Sequence, residues 1–172
     1  LYQGPMPWFW VIRNQETVSG LPIHAITQEF DKGDILAQTE FPIHPYETIG
    51  TYHSKMFFYL KPLITSAHSN LNTPNFKLTP QHTSHYFPNP SKKDLTLDWN
   101  SPAKDVDALI RASNPFYSIS FSLNNSTYRL LEIQITNQPA TSPGQFIVQN
   151  NTLLVSCSDF LVAINILFSQ QE

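Results

Sequence analysis

Apolar positions in the first third of the chain recur in three rhythms. Trp8-Phe9-Trp10-Val11-Ile12-Arg13-Asn14 is apolar nearly all round, with Pro5 and Pro7 at its start and Asn14 at its end. That suits a short helix buried on most sides. Thr17-Val18-Ser19-Gly20 reads as a turn and Leu21 to Ile26 as a short strand. From Asp34 to Ile43, Ile35, Ala37 and Thr39 alternate with Leu36, Gln38 and Glu40, the two-residue period of a strand partly buried on both faces. Thr48 predicts a helix N-cap. Ile49, Tyr52, Met56, Tyr59, Leu60 and Leu63 follow it at three- and four-residue steps, and Pro62 within that pattern predicts a kink or an early end. Strand, loop, strand and helix in this order is α/β material.

The pattern then lapses. Residues 69–92 are dominated by Asn, Thr, Ser, His and Pro and read as an extended surface linker. Beyond them, Ser101-Pro102 predicts a helix start with Ser as N-cap, Ala103, Val106, Leu109 and Ile110 form its apolar stripe, and Asn114-Pro115 stops it. Short strands are expected at 119–123, 128–130, 133–135, 146–148, 153–155 and 161–168, with the clearest turns at Asn124-Asn125 and Pro143-Gly144. Five or six such strands suggest a small OB-like β-barrel. The expected organisation is an α/β segment over residues 1–68, a linker over 69–92 and the OB-like domain over 93–172.

Composition narrows the functional classes. Only 13% of the 172 residues are charged and the formal net charge is −3, which argues against a strongly basic nucleic-acid binder. Cys157 is the single cysteine, so intrachain disulfides and multi-thiolate zinc sites are excluded. It falls in an apolar run, which marks it as a buried strand residue, and a reducing, cytoplasmic compartment is expected. No apolar run reaches membrane-spanning length. The chain opens on Leu1 with no initiator Met, and Leu1-Tyr2-Gln3-Gly4-Pro5 reads as mid-domain sequence, so a fragment is expected.

The stretch Phe30-Asp31-Lys32-Gly33-Asp34-Ile35-Leu36-Ala37-Gln38 carries the main candidate chemistry. It sets a carboxylate on a Gly-supported turn before an alternating strand, a common way to present an acid or base. Asp34 reads as structural, closing the turn. His82 and His85 have the spacing of metal ligands but no acidic or Cys partner nearby, so no metal site is expected. Trp8, Phe9, Trp10, Phe57 and Phe58 read as core rather than a base-stacking surface, because no basic residues interleave with them.

Tyr2-Gln3-Gly4-Pro5, Trp10 to Asn14, Ser19-Gly20, His24 and Phe30 to Gln38, followed by Gln81, Tyr86, Pro88, Pro90, Asp98-Trp99 and Ile110-Arg111-Ala112 with Asn114-Pro115, form an ordered set. In that order they resemble the C-terminal part of the 10-formyltetrahydrofolate-dependent formyltransferases, the methionyl-tRNA formyltransferases most of all. Gln3 stands where the family usually has Arg, and Leu21-Pro22 where it has Val-Thr or Ile-Thr; Pro22 predicts an edge or a bulge there. The resemblance implies the C-terminal half of a Rossmann-like formyltransferase domain followed by an OB-like barrel. It implies 10-formyltetrahydrofolate as formyl donor and a primary amine as acceptor, either initiator methionyl-tRNA or an amino sugar on a nucleotide carrier. A non-catalytic remnant is the alternative from another class.

By the same resemblance Asp31 takes the family's catalytic Asp position, while the family's Asn and His fall upstream of Leu1, in an N-terminal half missing from the chain. Gln28, Glu29, Phe30, Lys32 and Gly33 are the implied folate contacts, and His24, Tyr2 and Gly4 secondary or substrate candidates. Residues 89–172 hold five Lys or Arg against seven Asp or Glu, which weakens the tRNA reading without eliminating it, because a few placed cations suffice, and makes an amino sugar a serious rival.

Overall fold

A computed structural model describes residues 2–81 and 85–170, with the backbone alone for Ser169 and Gln170. The elements in chain order are β1 (Tyr2–Gln3), α1 (Pro7–Arg13), β2 (Val18–His24), β3 (Ile35–Pro42), α2 (Ile49–Leu71), β4 (His85–Tyr86), α3 (Ala103–Ser113), β5 (Ile119–Leu123), β6 (Ser126–Pro139), β7 (Phe146–Gln149), β8 (Thr152–Ser156) and β9 (Phe160–Gln170). The fold is mixed α/β, as expected.

In the first half, β2 and β3 form an antiparallel pair in which Gly20 faces Glu40 and Pro22 faces Gln38, with a register shift between Ile23 and His24. Thr17 to Gly20 is therefore not a turn. Gln15, at φ 57°, makes the reversal earlier and β2 starts at Val18. Pro22 sits in a strand whose other edge is unpaired among the described residues, so its missing N–H costs no ladder bond there. On β3, Ile35, Ala37 and Phe41 are buried while Gln38 and Glu40 face the other way, the alternation that the sequence predicts.

The helix α2 starts where Thr48 predicts. Thr51 N–H donates to Thr48 Oγ1 at 3.2 Å, and Thr48 N–H donates to Thr51 Oγ1 at 2.9 Å, a reciprocal box. Pro62, however, does not end it early: the helix runs 23 residues. Pro62 lies on the exposed face, and the carbonyl left without a donor belongs to the solvent-facing Phe58, where water satisfies it. The same face corrects the reading of Phe57 and Phe58 as core, since they are 73% and 81% exposed.

The segment after α2 returns along the first half. Ile35 and Thr79 exchange backbone bonds at 2.7 and 2.9 Å, and β4 pairs in parallel with β1. The next helix, α3, is not capped by Ser101. Ala103 N–H donates instead to the Asp159 carboxylate at 2.7 Å, from the turn before β9. Its buried stripe of Ala103, Val106, Leu109 and Ile110 is the predicted one.

The strands beyond α3 form one antiparallel sheet in the order β5-β6-β9-β8-β7. Two expected strands, 128–130 and 133–135, are a single β6 interrupted by register shifts around Glu132. Asn124 and Asn125 both have positive φ, as do Asn150 and Asn151, the geometry of tight hairpin turns. One buried cluster runs from Phe9 and Ile12 of α1 through Phe41 and Ile49 to Leu109 and Ile110 of α3, then on to Ile119, Leu130 and Val162 of the sheet.

Candidate functional site

The candidate site grows from the end of β2. His24 closes that strand, and residues 25–34 loop out before β3. The base of the loop is pinned by Ala25 N–H donating to the Asp34 carbonyl at 2.9 Å; the closure that the sequence assigns to Asp34 is made by its backbone. Gly33 is buried beneath Ala25, and a Cβ there would lie 1.7 Å from the Ala25 carbonyl oxygen. Two residues earlier, Asp31 adopts φ 57°, a left-handed conformation that Asp tolerates better than most residues. That bend turns its carboxylate back toward β2, and Asp31 Oδ1 comes 3.7 Å from His24 Nε2. His24 Nδ1 lies 3.2 Å from the Ala25 carbonyl, which can only accept, so Nδ1 carries the proton in that bond. In the neutral ring, Nε2 then presents a lone pair beside the carboxylate.

Both groups open onto a cleft of about 520 Å³, within the usual size range of a ligand pocket. Tyr2 and Gly4 line it from β1 and the bend that follows, and Gln38 and Glu40 from the outward face of β3. Tyr2 OH donates to Glu16 Oε1 at 2.6 Å and accepts from Asn14 at 3.0 Å. Burial and the neighbouring Glu16 push its phenol above the ordinary range, so it stays protonated at neutral pH. At Gly4, φ is 126° and a Cβ would lie 2.0 Å from the Phe87 carbonyl oxygen; two backbones cross there with no room for a side chain.

Of the residues that the sequence proposes, the structure thus gathers Tyr2, Gly4, His24 and Asp31 on one cleft. Gln28, Glu29, Phe30 and Lys32 lie on the exposed outer part of the loop and do not line it, with Phe30 97% exposed, and Gly33 is packed under the loop. Lining residues that the sequence did not propose as part of a site are Glu16, Glu40 and Trp8, the last read there as core. Three carboxylates, Glu16, Asp31 and Glu40, line the cleft with His24, and no Lys or Arg does among the described residues. Trp8 also lines it, and its indole N–H is buried without a hydrogen-bond acceptor among the described residues. No side-chain motif announces these groups; they meet only because β1, α1 and β3 converge.

Among the described residues, no group of His, Cys, Asp and Glu could hold a metal ion; His82 lies outside them. No helix there is long and apolar enough to cross a membrane. Cys157 is fully buried just past β8, and burial, with Asp159 nearby, pushes its thiol up to about 12, which removes it as a nucleophile.

Known proteins resemble the chain along both halves. Residues 1–64 match the family described as formyl transferase, and residues 90–171 the family described as formyl transferase, C-terminal domain. The methionyl-tRNA formyltransferase of Fervidobacterium nodosum is 34% identical over 148 residues, 83% of this chain and 47% of the relative. The chain spans about half the length of the curated relatives it matches. Among solved structures, HypX from Aquifex aeolicus in complex with tetrahydrofolic acid superposes with a TM-score of 0.78 at 20% identity, over 99% of this chain and 30% of that one. The N-formyltransferase from Helicobacter canadensis, in complex with folinic acid and dTDP-3-aminofucose, does so with a TM-score of 0.67 at 22% identity, over 95% of this chain and 61% of that one. With the Asp31 loop and every cleft residue but Gln81 inside the first family match, and the α3-and-sheet half inside the second, the chain belongs to the formyl transferase family.

Proposed function

We propose that the protein carrying this chain transfers a formyl group from 10-formyltetrahydrofolate to a primary amine, with Asp31 as the proton acceptor. The pairing of Asp31 with His24 at the mouth of the cleft supports this reading most directly. An amine nitrogen at ordinary hydrogen-bond distance, about 2.8–3.0 Å, from both Asp31 Oδ1 and His24 Nε2 fits a pair of acceptors 3.7 Å apart. The amine lone pair forms the new C–N bond, the formyl π pair moves onto oxygen, and collapse expels the folate nitrogen. The proton lost by the amine passes to Asp31 and returns to the leaving nitrogen. The acidic lining of Glu16, Asp31 and Glu40 draws an amine cation toward the cleft; that cation gives one proton to solvent before the neutral amine attacks.

For the donor, the cleft has the volume. The part of the loop holding Gln28, Glu29, Phe30, Lys32 and Gly33 lies outside the cleft lining and would meet the donor only where it projects from the cleft, with Tyr2 and Gly4 on the acceptor side. The proposed organisation is a catalytic segment over 1–68 and an OB-like domain over 93–172, with 69–92 between them. Initiator methionyl-tRNA is the acceptor in the first reading, because curated relatives such as the one from Fervidobacterium nodosum carry the name methionyl-tRNA formyltransferase. The amino-sugar reading is supported by the likeness to the Helicobacter canadensis enzyme and by the acidic balance of residues 89–172.

Formyl transfer by the protein carrying this chain, assayed with charged initiator tRNA and with amino-sugar nucleotides, separates the two acceptors. Activity on the sugar alone overturns the tRNA reading. Asp31→Asn keeps the shape and removes the base, and should lower turnover about 10²- to 10⁴-fold with an unchanged unfolding midpoint. Wild-type turnover in that variant refutes the role of Asp31.

A further inference from the structure

The loop that bears Asp31 is held by two glutamine side chains from distant parts of the chain. Gln3, in β1, donates from Nε2 to the Asp31 carbonyl at 2.7 Å and to Gln81 Oε1 at 2.8 Å. Gln81 in turn donates from its Nε2 to the Gly33 carbonyl at 2.5 Å. The partners dictate both amide orientations. The two ends of the relay are backbone carbonyls, which only accept, so each glutamine must turn its NH₂ group to the loop. Oε1 of Gln81 is then left to take the second N–H of Gln3. Three bonds admit a single arrangement.

The relay brackets Asp31, with one bond to its own carbonyl and one to the carbonyl two residues on. Asp31 is in the left-handed region, so small changes in the peptides on either side swing its carboxylate relative to His24. Gln81 itself is brought to the loop by the Ile35–Thr79 bridge, which lays the segment after α2 against the start of β3.

We infer that Gln81 is a positioning residue for the reaction, acting through the Gln3–Gln81 relay to hold the Asp31 carboxylate at the cleft. This rests on the reading of Asp31 as proton acceptor. The segment following α2 thereby sets the geometry of the acid, although it contributes no reacting group.

Two substitutions in the protein carrying this chain test it. Gln81→Met keeps the length of the side chain and removes its donor and acceptor. Gln81→Glu keeps the acceptor for Gln3 but sets a carboxylate against the Gly33 carbonyl. Both should lower kcat for formyl transfer about 10- to 100-fold, the cost of a misplaced reacting group, with KM changed less than kcat. Gln81→Glu should regain activity relative to wild type as pH falls and its carboxyl becomes a donor again, whereas Gln81→Met should not. In an Asp31→Asn background, Gln81→Met should cause no further loss, because the relay has no carboxylate left to position. Wild-type kcat in Gln81→Met, or a full multiplicative loss in the Asp31→Asn background, overturns the assignment. If Gln81→Met does not fold, the pH response of Gln81→Glu decides, and a flat response overturns it. Wild-type activity in Asp31→Asn overturns instead the reading on which the relay depends.

Discussion

At Gly33 the constraint is space. The Ala25 carbonyl occupies the position a Cβ would take, 1.7 Å away, far inside any van der Waals contact. Gly33→Ala must therefore push the loop off Ala25, breaking the Ala25–Asp34 bond and lifting the Gly33 carbonyl from Gln81. Overpacking of this kind costs about 1–3 kcal/mol. Denaturant unfolding should show that loss together with a fall in formyl transfer; an unchanged midpoint and rate would mean the loop has slack that the structure denies it. Gly33 thus acts on Asp31 from beneath the loop while Gln3 and Gln81 act from its flank.

The two longer helices begin by different means, and only one was readable from local sequence. The Thr48–Thr51 box of α2 is local and follows the chain. The cap of α3 is supplied by Asp159, 56 residues later, so Ser101 is a sequence signal without the expected bond. Asp159 also accepts from Phe160 N–H at 2.9 Å, joining the start of α3 to the start of β9. Asp159→Ala should destabilise the chain by about 1 kcal/mol, and Ser101→Ala by much less, measured by chemical denaturation. Equal effects would return the cap to Ser101. The unbroken run of α2 through Pro62 follows the same principle: a lost hydrogen bond matters little where water replaces it.

Across the whole molecule the two halves are joined by packing and by buried charge. Glu47 is 3% exposed just before α2. Its carboxylate pairs with Lys55, and its carbonyl accepts from Arg111 of α3 at 3.0 Å. Burial raises the Glu47 carboxyl, but bonds from Lys55, Thr51 and the His44 backbone outweigh it and hold the group below the usual carboxylate range. Its contribution is therefore complete above the unfolded glutamate value, about 4.3, and is lost as pH falls through the lower native value. Asp107 works in the opposite sense: burial against the pull of Arg111 raises it, so its contribution is lost as pH rises through the carboxylate range. Comparing wild type with Glu47→Gln isolates the first effect. Stability should fall more steeply below about pH 4.3 in wild type than in Glu47→Gln, and parallel curves would remove Glu47 from the account.

Sequence alone determined what depends on period and on neighbours a few residues apart. The alternation of β3, the stripe of α3, the Thr48 cap, the Asn124-Asn125 turn and the burial of Cys157 are all of this kind, because they follow from local geometry and from apolar periodicity. The ordered motifs also carried the family, and with it the choice of Asp31. Tertiary structure decided what depends on partners from elsewhere in the chain. It set Asp159 on α3, laid the Pro- and Asn-rich segment against β1 and β3, and left Phe57 and Phe58 on the surface. It brought His24 to 3.7 Å from Asp31, and it drew Gln3 and Gln81 onto one loop although 78 residues separate them. A glutamine in a polar segment has no periodicity to reveal it. Its two donors and one acceptor acquire meaning only when folding sets carbonyl oxygens at hydrogen-bond distance.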